Sequence, residues 1–115
     1  MEKIIIYHNT RCTKSRNALE LIQKRGKDVR VIEYLKNPPS EKELKDILKK
    51  LGMKAEEIVR KKEKLFQEKF SGKTISNDEW IKILCKNPIL IERPIVIKGN
   101  KAVIGRPTEN ILKLL

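Results

Sequence analysis

The sequence is poor in the residues that build metal centres and disulfide frameworks. It contains 1 His and 2 Cys, and the cysteines, Cys12 and Cys85, stand far apart in the chain. No Cys/His cluster with zinc-ligand spacing can be drawn from that inventory, so no metal is expected. A disulfide scaffold is out of place in a chain read as intracellular. Aromatic residues make up only 4%, and no nucleic-acid motif is visible. A stacking platform for bases, and with it a nucleic-acid partner, is therefore not expected. No apolar run approaches the roughly 18–20 residues of a membrane helix. The isoleucine run Ile4-Ile5-Ile6 is too short for the apolar region of a signal peptide. The expectation is a soluble, cytoplasmic monomer without a membrane segment.

What the chain does have is positive charge. Its 27 Lys and Arg against 15 Asp and Glu give a net charge of +12. Only 7 of the 27 are Arg, and many Lys lie one helical turn from an acid, as in Glu41/Lys45 and Asp46/Lys50. Most of this charge reads as a solvated surface, although the field would draw in small anions. A length of 115 residues suits one domain, taken as residues 1–115.

The apolar pattern gives the order of elements. Lys3–Tyr7 reads as a buried strand. Ser15–Lys24 places Ala18, Leu21 and Ile22 on one helical face, with Gly26 as its stop. Val29–Leu35 is a second strand, which should lie parallel to the first. After Asn37-Pro38-Pro39, Ser40 and Glu43 have capping-box spacing, and Leu44, Ile47, Leu48 and Leu51 form a stripe ended by Gly52. Ala55–Lys64 is expected to be helical, and Lys69–Ile75 irregular. Ser76 and Glu79 open a helix carrying Trp80, Ile83 and Leu84, which Asn87-Pro88 ends. Pro94–Lys98 and Lys101–Ile104 form a hairpin about Gly99-Asn100. Pro107 begins a last helix that buries Ile111, Leu112 and Leu115. The order β-α-β, helical block, β-β, α is the plan of a thioredoxin or glutaredoxin domain. A helical insertion occupies about 40–87 within it.

The stretch YHNTRCTKSRNAL puts Cys12 at a strand-to-helix junction. Unpaired N–H groups and the helix dipole there favour a thiolate, and the nearby His8, Arg11 and Arg16 should add to that. With Arg11, Thr13 and Lys14 as neighbours, Cys12 is expected to be open rather than buried. Cys12-Thr13-Lys14-Ser15 is Cys-x-x-Ser, so position 15 cannot close a disulfide. Ser15 could bond the thiolate or cap the helix. Cys85, beside Leu84 and four residues after Ile81, reads as a core or half-buried thiol, with a resolving role as the alternative. Pro94 leads a strand, where a thioredoxin-like domain carries a cis-proline beside its thiol. Arg93 and Arg106 are each placed to reach inward there.

Taken together, the nucleophile loop, the Asn-Pro-Pro-Ser break, Arg60-Lys61, Asn87–Val96 (NPILIERPIV) and Gly105-Arg106-Pro107 closely resemble the glutaredoxin-dependent arsenate reductases, in order and along nearly the whole chain. The resemblance implies that Cys12 attacks arsenate and that Arg60, Arg93 and Arg106 bind the oxyanion. It further implies that His8 and Ser15 favour the thiolate. Glutathione would be the co-substrate, with glutaredoxin as the partner that reduces the resulting mixed disulfide. The same fold serves Spx-type regulators that bind RNA polymerase. Those usually carry Cys-x-x-Cys, lack the Gly-Arg-Pro arginine and extend past the last helix. Ser15, Arg106 and an end at Leu115 favour the enzyme. A general glutathione-linked thiol oxidoreductase is the remaining alternative.

Overall fold

A computed structural model describes residues 3–115. Two compact units divide the chain. One comprises the chain up to Asn37 together with Arg93–Leu115, and the other is Pro38–Glu92.

The first unit is built on a four-stranded sheet. Strands β1 (Ile4–His8), β2 (Val29–Glu33), β3 (Ile95–Lys98) and β4 (Lys101–Ile104) lie in the order β2-β1-β3-β4. The first two are parallel and the other pairings antiparallel. Strand β1 is central and nearly continuous in its burial, as a strand covered on both faces must be. Helix α1 (Thr13–Lys24) supplies the crossover. Its Ala18 and Ile22, one turn apart, pack in one core with Ile4, Ile6, Val96, Ile111 and Leu114. Each fully buried Ile contributes roughly 1.5–3 kcal/mol. The expected last helix is a 3₁₀ segment, Thr108–Lys113, capped by Pro107. The second strand ends two residues early, because Lys36 and Asn37 turn back to hydrogen-bond the Glu33 carbonyl at 3.0 and 2.9 Å. This is the thioredoxin-like β-α-β and β-β-α plan that the element order predicts.

The second unit carries α2 (Glu41–Leu51), α3 (Lys64–Lys69) and α4 (Asn77–Lys86). Both predicted N-caps form. The Ser40 hydroxyl accepts from the Glu43 amide at 3.1 Å, and the Glu43 carboxylate accepts from the Ser40 amide at 3.0 Å. The Ser76 hydroxyl accepts from the Glu79 amide at 3.2 Å. Gly52 closes α2 at φ 69°, a left-handed turn that favours glycine. Trp80 packs on Phe66 and Phe70, with ring centroids 6.1 and 5.7 Å away.

The expected helix over Ala55–Lys64 is corrected. Before α3, which starts at Lys64, only Ala55–Ile58 is helical, as a 3₁₀ segment. Between them the backbone pairs outward. Val59 bridges Ile91, the Arg60 amide donates to the Leu90 carbonyl at 2.7 Å, and the Glu92 amide donates to the Ile58 carbonyl at 2.8 Å. These bonds replace the helical ones that the same groups would make, and β-branched Val59 suits the extended form.

In the first unit, Gly105 holds β4 against the segment entering β3. Its amide donates to the Pro94 carbonyl at 2.8 Å. A β-carbon there would lie 2.9 Å from Ile111 Cδ1 and 3.0 Å from Pro94 Cγ. Gly105→Ala should therefore lower stability by about 1–3 kcal/mol through overpacking. Urea denaturation measures this, and a midpoint equal to the parent's would mean that Ile111 yields freely.

Candidate functional site

The turn that leaves β1 is fixed before the helix begins. The Cys12 amide donates to the Asn9 carbonyl at 3.0 Å, and the Arg11 amide to the Asn9 side-chain oxygen at 3.0 Å. Cys12 then takes the N-cap position of α1 with φ −94° and ψ 121°, and no acid sits in the first helical turn. The thiol makes no formed capping hydrogen bond. Even so, the Ser15 and Lys14 amides stand close enough to the sulfur to favour its anion.

Two expectations about this cysteine are corrected. Cys12 is buried, at 8% exposure. Arg11, Thr13 and Lys14 do face solvent, but at a helix N-cap the flanking side chains fan outward while the sulfur turns in. The N–H groups expected at the helix start do act on the sulfur, but the cation beside them is a different one. Burial is the strongest influence and pushes the thiol up. Against it act the Ser15 amide, Arg93 through a hydrogen bond and through its charge, and the Lys14 amide. The outcome lies below the ordinary cysteine value. The cations expected from sequence, His8, Arg11 and Arg16, do not appear in that balance.

His8 is itself neutral near pH 7. Burial is the main cause, and it pushes the imidazole below its usual value. The Glu33 charge and the Ser15 bond oppose this, and the Arg16 charge adds to it. His8 Nδ1 lies 2.7 Å from Ser15 Oγ, and that oxygen accepts the Asn9 amide at 3.0 Å. Neutral His8 accepting the Ser15 hydroxyl proton satisfies all three groups, a tautomer assigned from this network. Ser15 is fully buried. Its hydroxyl is thus committed to His8 and Asn9, and it is the Ser15 amide that acts on the sulfur.

Strand register brings the other predicted residues of this unit to the same end of the sheet. Tyr7 pairs with Ile95, so the two residues before Ile95 lie beside the turn after His8. Ile95 in turn pairs with Ile104, which leads Gly105 and Arg106 to that end as well. The Arg93–Pro94 bond is cis, and so is Arg106–Pro107, for which no sequence signal stood out. Arg93 reaches Cys12, while its Nε and Nη1 are buried and meet no acceptor among the described residues. Leaving such donors unpaired costs about 1–3 kcal/mol each. Arg106 is exposed, and its carbonyl accepts from the Asn110 side chain at 3.3 Å.

Arg60 lies in the other unit. There its Nη1 meets Glu63 Oε2 at 2.8 Å. Cys85, also in that unit, is half-buried. Its thiol is pushed up, first by burial and then by the charges of Glu41 and Glu43. Sequence reasoning overlooked Asn9, which shapes the nucleophile turn, and Glu63. The Arg-x-x-Glu spacing was the signal for the second. Among the described residues no group of three or more His, Cys, Asp or Glu could hold a metal ion. No helix there is long and apolar enough to cross a membrane.

The two thiols should separate by reactivity. On a Cys85→Ser background, alkylation of Cys12 should reach half its maximal rate at a pH below the free-thiol value of about 8.5. Arg93→Ala should move that midpoint upward, because it removes a cation and a donor from the anion. A midpoint at or above the free value would refute the balance described above.

Known proteins give the arrangement its relatives. Residues 7–114 match the ArsC family. An arsenate reductase of Neisseria meningitidis serogroup A is 44% identical over 100% of both chains. The uncharacterized protein YfgD of Escherichia coli K12 is 41% identical, over 99% of this chain and 98% of its own. Among solved structures, an arsenate reductase from Vibrio cholerae superposes with a TM-score of 0.95 at 39% identity, covering 99% of this chain and 98% of that one. With a match spanning nearly every residue, this chain belongs to the ArsC family.

Proposed function

We propose that this protein is an arsenate reductase in which Cys12 is the nucleophile and glutathione and glutaredoxin are the reductants. The observation that carries the reading is Arg93. Its guanidinium lies near enough to the sulfur to favour the anion, and two of its buried donors meet no acceptor among the described residues. A small oxyanion in front of a thiolate supplies the acceptors those donors lack, and the guanidinium fork fits its oxygens. The same positive charge offsets the repulsion between thiolate and anion that would otherwise prevent attack. Relatives named arsenate reductase at 40–44% identity point to arsenate as that anion.

The chemistry follows in three steps. The Cys12 thiolate attacks arsenic and an oxygen leaves as water, forming a sulfur–arsenic(V) bond. Glutathione thiolate then attacks the Cys12 sulfur. The electron pair of the broken S–As bond stays on arsenic, which departs as arsenite, As(III), and the two sulfurs are joined. Glutaredoxin takes the glutathione from this mixed disulfide by thiol exchange and returns Cys12 to the thiolate. In this scheme His8 holds Ser15, Ser15 lends its amide to the sulfur, and Arg93, Arg106 and Arg60 bind substrate oxygens. Pro94 shapes the wall beside the thiol. The protein would act as a cytoplasmic monomer.

Arsenite release tests the reading. Cys12→Ser should be inactive and Cys85→Ser should keep most activity. Arg93→Ala should lose about 10–150-fold, the equivalent of one charge-assisted hydrogen bond of about 1.5–3 kcal/mol. The protein alone should stop at the sulfur–arsenic(V) adduct and release no arsenite, because the second thiol is missing, and glutathione with glutaredoxin should sustain turnover. Sustained turnover with thioredoxin alone, together with a Cys12–Cys85 disulfide by mass spectrometry, would replace this mechanism. No arsenite under any reductant would remove the function.

A further inference from the structure

We infer that Glu63 is a positioning residue for oxyanion binding, holding the Arg60 guanidinium so that its remaining donors are presented to substrate. The inference rests on the proposed reading of Arg60 as a substrate-binding arginine.

The pair is built unlike a surface ion pair. Its side chains are only 20% and 25% exposed, whereas Lys24–Glu20 is 71% and 62% exposed and Lys64–Glu68 is 88% and 56%. Solvated pairs of the latter kind contribute little. The backbone beneath the pair is also fixed. The Arg60 amide donates to the Leu90 carbonyl at 2.7 Å, Val59 bridges Ile91, and the Glu63 amide donates to the Arg60 carbonyl at 3.1 Å. The last bond sets the turn that places Glu63 as the N-cap of α3, its carboxylate within reach of Arg60.

The geometry favours holding over blocking. Glu63 at 2.8 Å and the Ile89 carbonyl at 3.5 Å both engage Nη1. The donors on Nη2 and Nε are used by neither contact, and a guanidinium can serve two acceptors on different edges of its fork. A long, flexible arginine held in this way loses less freedom when an anion arrives. The carboxylate does cost some positive potential at Arg60. Lys61, Lys62 and Lys64, all exposed, keep the segment cationic.

Steady-state arsenite release with glutathione and glutaredoxin tests this on the full chain, using E63A, E63Q, R60A and the R60A/E63A double variant. Thermal midpoints check folding. E63A should raise the arsenate KM about tenfold and change kcat less than twofold. E63Q keeps an acceptor oxygen without the charge and should recover most of the lost affinity. In the R60A background, E63A should add no further effect, because a residue acting through Arg60 has nothing left to position. A KM in E63A equal to that of the parent, with R60A impaired, overturns this inference and leaves the proposed function standing. Tighter arsenate binding in both E63A and E63Q would make the carboxylate a competitor and also overturn it. So would an equal loss from E63A with and without Arg60, the mark of a merely structural role. Full activity in R60A, or no arsenite from the parent protein, removes the reading of Arg60 or of the function, and the inference with it.

Discussion

A sulfur that is to carry negative charge inside a protein must be taken from water, and that cost runs against ionisation. The rest of the site is arranged around this conflict at Cys12. Burial pushes the thiol up more strongly than any other influence, and the Ser15 amide, Arg93 and the Lys14 amide together outweigh it. None of these groups is effective unless its backbone is fixed. The two amides are in place because Cys12 is the N-cap of a 12-residue helix. That helix is in place because Ala18 and Ile22 are buried against Ile4 and Ile6. Arg93 is in place because β3 pairs with β1 and Gly105 is small enough to close on Pro94. The apolar core thus sets a charge balance to which it contributes no charge.

Cys85 meets the opposite surroundings. It has the same chemistry in the same chain, but it sits late in α4, near the carboxylates of Glu41 and Glu43, with its thiol pushed up. Helix ends are not interchangeable. An N-terminus offers N–H groups to an anion, and a C-terminus offers carbonyls that repel one. Position along a helix, together with the sign of the nearest charge, separates a thiol whose anion is favoured from one whose anion is opposed more sharply than burial does.

Much of this was legible in the sequence. The β-α-β and β-β-α order, the Ser40 and Ser76 caps and the Cys12 junction all depend on local patterns of apolar residues, caps and turns. What was not legible depends on long-range pairing. The Ala55–Lys64 stretch looked helical because its composition suits a helix, yet Val59 and Arg60 pair with Leu90 and Ile91, some 30 residues on. His8 looked like a cation because it lies in a basic stretch, yet burial neutralises it. Cys12 looked open because its sequence neighbours are polar, yet at an N-cap the neighbours do not share its direction.

Ser15 shows why the Cys-x-x-Ser pattern is more than a missing thiol. A resolving cysteine at the fourth position must turn its sulfur toward the first. Here the side chain at that position is engaged by His8 Nδ1 at 2.7 Å and the Asn9 amide at 3.0 Å. Both bonds belong to the turn that sets the Cys12 backbone. Rotating the side chain toward the sulfur would leave the Asn9 amide and His8 without their partner, and each such loss in a buried site costs about 1–3 kcal/mol. The hydroxyl at position 15 is therefore part of the structure that holds the Cys12 turn. Thiol exchange at Cys12 needs a near-linear approach to the sulfur, and the first turn of α1 offers no internal thiol for it. Position 15 cannot supply the attacking thiol, and a net charge of +12 would attract one that is itself an anion.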